Sequence, residues 1–218
     1  MASQPIRIDF VSDVVCPWCA VGLASLERAL ERIGDAVEVD LHFQPFELNP
    51  GMPAEGEDAT SHLVAKYGLS REQLDHNRAT IRARGAEVGF AFGERGRIVN
   101  TFDAHRLLHW AGTLGAGEQR ALKHALLQAY HGDGRDVSDH DVLVAIAGSA
   151  GLDAARARTI LASDEFADAV RAQERYFTDR GIRGVPAVIL DERHLISGGQ
   201  PVEVFEQALR RVAAGDVR

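Results

Sequence analysis

Cysteine is nearly absent from this chain, with two in 218 residues, so disulfides do not staple its fold. Cationic excess is absent too. The 24 Lys and Arg are outnumbered by 32 Asp and Glu, leaving a formal charge of −8. That balance argues against a general nucleic-acid binder, whose affinity rests on clustered Lys and Arg, and leaves room only for a local basic patch. Near the N-terminus the longest uncharged run is Val14 to Leu26, too short for a bilayer span of about 20 apolar residues, so no membrane partner is expected. Met1-Ala2-Ser3-Gln4-Pro5-Ile6-Arg7 lacks the charged and apolar regions of a secretory signal, and the expected location is cytoplasmic. No G-x-G-x-x-G, P-loop or G-x-S-x-G is present, which removes the basis for dinucleotide, nucleotide and serine-hydrolase readings. No fixed-period repeat suggests a solenoid, and no heptad seam suggests a coiled coil, so the oligomeric state stays open. What is present suits a globular protein: 45% hydrophobic and 26% charged residues, in a chain long enough to bury roughly 70–75% of its unfolded surface.

The two cysteines stand three apart, at Cys16 and Cys19, a spacing that two randomly placed cysteines would adopt in about 1% of chains this long. A bridge across so short a loop restrains the unfolded chain little, so the spacing points to redox chemistry or metal ligation. No second Cys-x-x-Cys or Cys-x-x-His completes a zinc site, and no metal is expected. Upstream, Ile6 to Phe10 alternates apolar and polar residues as a strand with one buried face does. Downstream, Leu23, Leu26, Leu30 and Ile33 recur at helical spacing, with Gly34 at the stop. Pro17 suits the first helical turn, where its missing N–H has no partner to lose. Cys16 then sits at the helix N-terminus, where free N–H groups and the dipole favour a thiolate. It is expected to be the exposed, low-pKa nucleophile, with Cys19 as the resolving thiol.

A second strand is expected over Val37 to Phe43, and a Cys-x-x-Cys beside a βαβ beginning reads as a thioredoxin-like redox motif. Near the C-terminus, Ala167 to Arg180 reads as a helix, Ala187 to Leu190 as a short strand, and Leu195 to Ser197 as its hairpin partner. A last helix carries Val202, Phe205, Leu209 and Val212 on one face. Pro186 at the mouth of a strand marks an edge, a turn or a cis bond.

Ser12-Asp13-Val14-Val15-Cys16-Pro17-Trp18-Cys19, Gln44 to Pro50, Gly184-Val185-Pro186-Ala187 and Ser197-Gly198-Gly199-Gln200-Pro201 together resemble the DsbA-like thioredoxin-fold oxidoreductases of the FrnE type. The resemblance covers most of the chain. It implies an α/β, thioredoxin-like fold with a large all-helical insertion: residues 1–59 and 164–218 as the thioredoxin-like domain, 60–163 as the insertion. It also implies that Cys16, Pro17, Trp18, Cys19 and a cis Pro186 form the catalytic centre, with Val185 helping to hold the substrate disulfide. The chain has Trp18 where DsbA has histidine, one fewer source of thiolate stabilisation, so a less oxidising couple is expected.

The middle of the chain reads as helices over Ser70–Val88, Thr101–Leu114, Gly117–Tyr130, Ser138–Ala150 and Asp153–Leu161, the first opened by the capping-box spacing Ser70-x-x-Gln73. His105 and His109 lie four apart but lack a third metal ligand. Within the resemblance, Asn100 and His105 lie in a stretch near the substrate groove and are candidate substrate contacts. Asp13 either borders the site as a proton relay or caps the active-site helix. Gly198, Gly199 and Gln200 either offer N–H groups to a carboxylate such as glutathione's or form a plain helix cap. Arg78, Arg82, Arg84, Arg95 and Arg97 are either a solvated helix face or a docking patch for an acidic partner.

The expected activity is thiol–disulfide oxidoreductase or disulfide isomerase on a protein or small-molecule substrate. No bound cofactor is needed, and glutathione is a candidate redox partner. Two alternatives are a glutathione-dependent isomerase or transferase of the kappa-class type, and a non-catalytic peptide-binding chaperone.

Overall fold

The computed structural model describes residues 5–216. β1 (Ile6–Ser12) runs into α1 (Pro17–Ile33), and a 3-10 turn at Gly34–Ala36 leads to β2 (Val39–Pro45). Then come β3 (Glu57–Asp58), α2 (Ala59–Tyr67), α3 (Arg71–Glu87), β4 (Arg97–Ile98), α4 (Phe102–Leu114), α5 (Ala116–Leu127), α6 (His140–Ser149), α7 (Ala154–Leu161) and α8 (Ala167–Asp179). The chain closes with β5 (Ala187–Leu190), β6 (His194–Ser197) and α9 (Val202–Ala213).

The main sheet has the order β2-β1-β5-β6. β1 pairs in parallel with β2, Ile8 opposite Leu41, and antiparallel with β5, Phe10 opposite Val188. A parallel pair needs a crossover, which α1 supplies. β1 is therefore central, and its expected one-sided alternation is corrected: Asp9 is 3% exposed. Gln44 and Arg7 donate to its carboxylate at 2.6 and 2.8 Å, which is how a charge survives under the second layer. β2 starts and ends two residues later than the alternation indicates, because the Gly34–Ala36 turn delays its entry. It ends at Pro45, tolerated because β2 is an edge strand whose outer side needs no N–H.

One core packs Ile8 and Phe10 of β1 and Val188 of β5 under α1 and α9, with Leu26, Phe205 and Leu209 fully buried. A smaller cluster on the opposite face joins Val11 and Ala187 to Phe177 of α8. The helical insertion has its own core, Leu107, Leu122, Leu126, Leu143 and Ile160 among others, and Val14 and Val15 of the cysteine loop are packed into it. The loop carrying the dithiol is thus clamped between two cores.

The expected insertion helices are present within a few residues of their sequence bounds, and Ser70 and Gln73 form a full capping box. Residues 88–96 are not helical, and the β3–β4 ladder next to them, Glu57 opposite Ile98, is too short to leave an alternation in the sequence. The helix expected to run to Tyr130 ends at Leu127 and continues as a π-turn, Gln128–Gly132.

Candidate active site

Cys16 is the N-cap of α1, with extended backbone (φ −85°, ψ 113°) and no side-chain capping bond; Pro17 follows as the first helical residue. The Cys19 N–H donates to the Cys16 carbonyl at 3.0 Å, which sets the second thiol one turn inside the helix. Both cysteines are free thiols. The expectation of an exposed nucleophile is corrected: Cys16 is 4% exposed and Cys19 fully buried. The cover is the loop before β5, where the Val185–Pro186 bond is cis and the Cys16 Sγ lies 3.5 Å from the Val185 carbonyl oxygen.

The two thiols are electrostatically unequal. The Cys19 hydrogen bond holds the Cys16 pKa below its ordinary value, helped by the Cys19 and Trp18 N–H groups, against the opposing effects of burial and the Asp13 charge. Burial, followed by the neighbouring Cys16 thiolate, raises the Cys19 pKa well above the ordinary value. One sulfur is therefore disposed to attack and the other to wait protonated behind it.

The surrounding backbone is packed tightly enough to require glycine at two positions. A Cβ on Gly199 would meet the Trp18 carbonyl oxygen at 2.9 Å, and one on Gly22 would meet Pro186 Cγ at 3.0 Å. Gly199 thus seats the β6–α9 turn against the active-site helix, a packing role that also explains its neighbour Gln200, whose Nε2 donates to the Ser197 carbonyl at 2.7 Å.

Asp13 does not cap α1 and does not reach the surface. It is fully buried; its Oδ2 accepts the Leu48 N–H at 2.7 Å and its Oδ1 lies 3.5 Å from His105 Nε2, itself buried. Burial pushes the Asp13 pKa up, but His105, the Leu48 N–H and Thr101 together outweigh it, so the carboxyl titrates below its ordinary value. Asp13 and His105 thus lie in the interior behind the dithiol, away from the substrate-facing side. Asn100 is engaged at the start of α4, where its Oδ1 accepts the Phe102 N–H at 2.9 Å. Among the described residues, no group of three or more His, Cys, Asp and Glu is placed to hold a metal ion. His109 instead pairs with Gln173 at 3.1 Å.

Sequence reasoning missed Lys123. It is 1% exposed on α5, and the charges of Cys19, Asp13 and Cys16 all act on it, while burial lowers its pKa. The signal was available: Gln119, Leu122, Lys123 and Leu126 share the helical spacing of one face, so a lysine stands inside an apolar stripe. His131, also buried, donates from Nε2 to the Val14 carbonyl at 2.9 Å and is kept neutral chiefly by burial.

In front of Cys16 opens a groove of about 800 Å³. It is lined by Trp18, Gly184 and Val185, and by Leu63 and Tyr67 of α2 and Ile81 of α3. A cysteine with a lowered pKa at a helix N-terminus, a second thiol one turn behind it, and an adjoining cis-proline loop define a thioredoxin-fold dithiol centre. The family described as DSBA-like thioredoxin domain matches residues 7–210, and the chain belongs to that family of oxidoreductases and isomerases.

A probable DsbA oxidoreductase from Streptomyces coelicolor is 40% identical, with 98% of this chain and 92% of that one covered and a TM-score of 0.90. The Bacillus subtilis protein YwbO, uncharacterized, is 27% identical over 205 residues, 94% of this chain and 96% of its own. The cytosolic disulfide reductase DsbM of Pseudomonas aeruginosa, solved with GSH, shares the fold at 17% identity and a TM-score of 0.64, over 95% of this chain and 99% of that one.

Proposed function

We propose that the protein is a thiol–disulfide oxidoreductase that reduces or isomerises disulfides through the Cys16-Pro17-Trp18-Cys19 dithiol. The Cys16 thiolate attacks one sulfur of a substrate disulfide; the S–S bond breaks, and the departing thiolate takes a proton from solvent. Cys19 then loses its proton and attacks the Cys16 sulfur of the mixed disulfide. The second substrate thiolate is released and a Cys16–Cys19 disulfide forms, so two electrons pass from the dithiol to the substrate. A thiol must return the pair to its reduced form, and glutathione is the redox partner assigned here, by two successive exchanges that yield its disulfide. The direction chosen, reduction rather than net oxidation, goes with a cytoplasmic location, where thiols are kept reduced.

The observation that carries this reading is the placing of two free thiols one helical turn apart, Cys16 lining an open groove beside the Val185 carbonyl and Cys19 buried behind it. The Val185 carbonyl beside Cys16 is the backbone edge along which an extended substrate would lie, with Pro186 fixing it and the Trp18 ring bordering the groove. Lys123 serves as the interior cation that eases loss of the Cys19 proton, and Asp13 as the carboxylate that relays that proton. The test is reduction of an insulin-like disulfide substrate by wild type and Cys16→Ser: loss of turnover in the variant is expected, and equal rates contradict the reading.

A further inference from the structure

The arginine cluster of the insertion resolves into two groups. Arg82 pairs with Glu94, Arg84 with Glu87, and Arg97 with the Glu55 carbonyl, and these belong to the scaffold. Arg78 and Arg95 instead line the groove before Cys16, where they are joined by Lys66 of α2 and by Arg183 from the loop leading into the cis proline. Among the described residues, no Asp or Glu lines that groove. In a chain where 32 acidic residues outnumber 24 basic ones, a groove lined by four cations and no carboxylate is a marked local inversion of charge.

Three of the four cations are bonded to neutral oxygens and to no carboxylate. Lys66 donates to the Leu48 carbonyl and to Asn49 Oδ1 at 2.8 and 2.6 Å. Arg95 donates to the Val15 carbonyl at 3.0 Å, and Arg183 to the Thr178 carbonyl at 2.7 Å. Arg78 donates to Thr60 Oγ1 at 2.8 Å and touches Asp75 only at 3.4 Å. Neutral oxygens orient Lys66, Arg95 and Arg183 without neutralising them, and the Asp75 contact offsets Arg78 only in part, so the groove keeps a net positive field toward whatever enters it.

We propose that the groove selects polypeptide disulfides whose cysteine is flanked by Asp or Glu, an inference that rests on the redox reading of Cys16. Four cations on four separate segments, with Leu63, Tyr67 and Ile81 among them, form a spaced array. Such an array matches carboxylates and apolar side chains alternating along an extended chain better than it matches a single carboxylate clamp. Tyr67 is 54% exposed, an uncovered aromatic of the kind that anchors a docked segment. Arg95, bonded to the Val15 carbonyl beside Cys16, and Arg183, two residues before Val185, come from the segments that flank the reacting sulfur; Lys66 and Arg78 come from α2 and α3.

The test compares three synthetic peptide disulfides of equal length, in which the cysteine is flanked by two Glu, two Gln or two Lys, with kcat/KM measured for each at low and high salt. The Glu peptide is expected to exceed the Lys peptide by about tenfold or more at low salt, with the ratio shrinking at high salt. In Lys66→Gln/Arg183→Gln the ratio is expected to fall toward one, and Arg183→Glu should reverse it. The pH midpoint of Cys16 alkylation verifies that each variant keeps its site. Turnover of all three peptides at equal rates, or a ratio that survives the substitutions, overturns the inference while leaving the redox reading intact. Failure of wild type to reduce any peptide overturns the redox reading itself. Faster turnover of oxidised glutathione than of the Glu peptide, with the same sensitivity to the substitutions, assigns the groove to a small acidic thiol and overturns the polypeptide assignment.

Discussion

The Sγ of Cys16 lies 3.5 Å from the carbonyl oxygen of Val185, a contact between residues 169 apart in sequence. It joins the start of α1 to the loop entering β5, and it covers the sulfur on one side while the groove leaves the other open. A thiolate there faces N–H groups from its own helix and a carbonyl from the neighbouring loop, so its reactivity is set by the balance of the two.

That balance predicts unequal alkylation. In the reduced protein, iodoacetamide should modify Cys16 with a pH midpoint below that of an ordinary thiol, measured on the same protein unfolded, because the Cys19 hydrogen bond and the helix N–H groups favour its thiolate. Cys19, buried and with its pKa raised, should react only on unfolding. Mass-resolved alkylation against pH measures both; a Cys16 midpoint at or above the ordinary value contradicts the electrostatic account.

Lys123 predicts a trade between stability and chemistry. Burial lowers its pKa in the folded protein. A base with a depressed folded pKa costs stability while charged; the cost is full below the folded pKa and fades as pH rises from there to its unfolded value of about 10.4. Lys123→Met should therefore keep or raise Tm at pH 7, and its advantage over wild type should narrow toward pH 10. Removing the cation also raises the Cys19 pKa further, so resolution of a preformed mixed disulfide should slow severalfold. Unchanged resolution would remove Lys123 from the machinery.

How much of this was legible follows from how local each feature is. The Cys16–Cys19 spacing, Pro17, and the apolar rows of α1 and α9 are read within one or two turns of chain, and so are the Ser70–Gln73 cap and the breaks around it. The features misjudged or missed depend on distant partners. Cys16 is covered by Val185, and Asp13 is satisfied by Leu48 and His105. Asp9 is sealed by Gln44. The division of the arginines depends on Glu87, Glu94 and the placing of Arg183 across the groove. Lys123 is the instructive intermediate: its place in an apolar stripe was readable, but its purpose depends on α5 passing behind the dithiol.

The close approach of Gly199 to Trp18 predicts a packing defect confined to one junction. In Gly199→Ala the new Cβ would meet backbone at 2.9 Å, where no flexible side chain can yield. Stability should fall by about 2 kcal/mol, the usual cost of overpacking a tight contact. Because the same junction seats the β6–α9 turn against Trp18 at the start of α1, substrate reduction should fall more than stability alone explains. Denaturant midpoints and turnover rates, compared with those of Ala24→Gly elsewhere on α1, measure the difference; loss of stability with full turnover would limit Gly199 to packing.

The central claim is that Cys16 attacks and Cys19 resolves. The most direct measurement is trapping with Cys19→Ser: the account predicts mixed disulfides accumulating at Cys16 with substrate, identified by mass spectrometry and released by reductant, and none with Cys16→Ser. Mixed disulfides forming equally on Cys19 in the Cys16→Ser protein, or on neither variant, would contradict it.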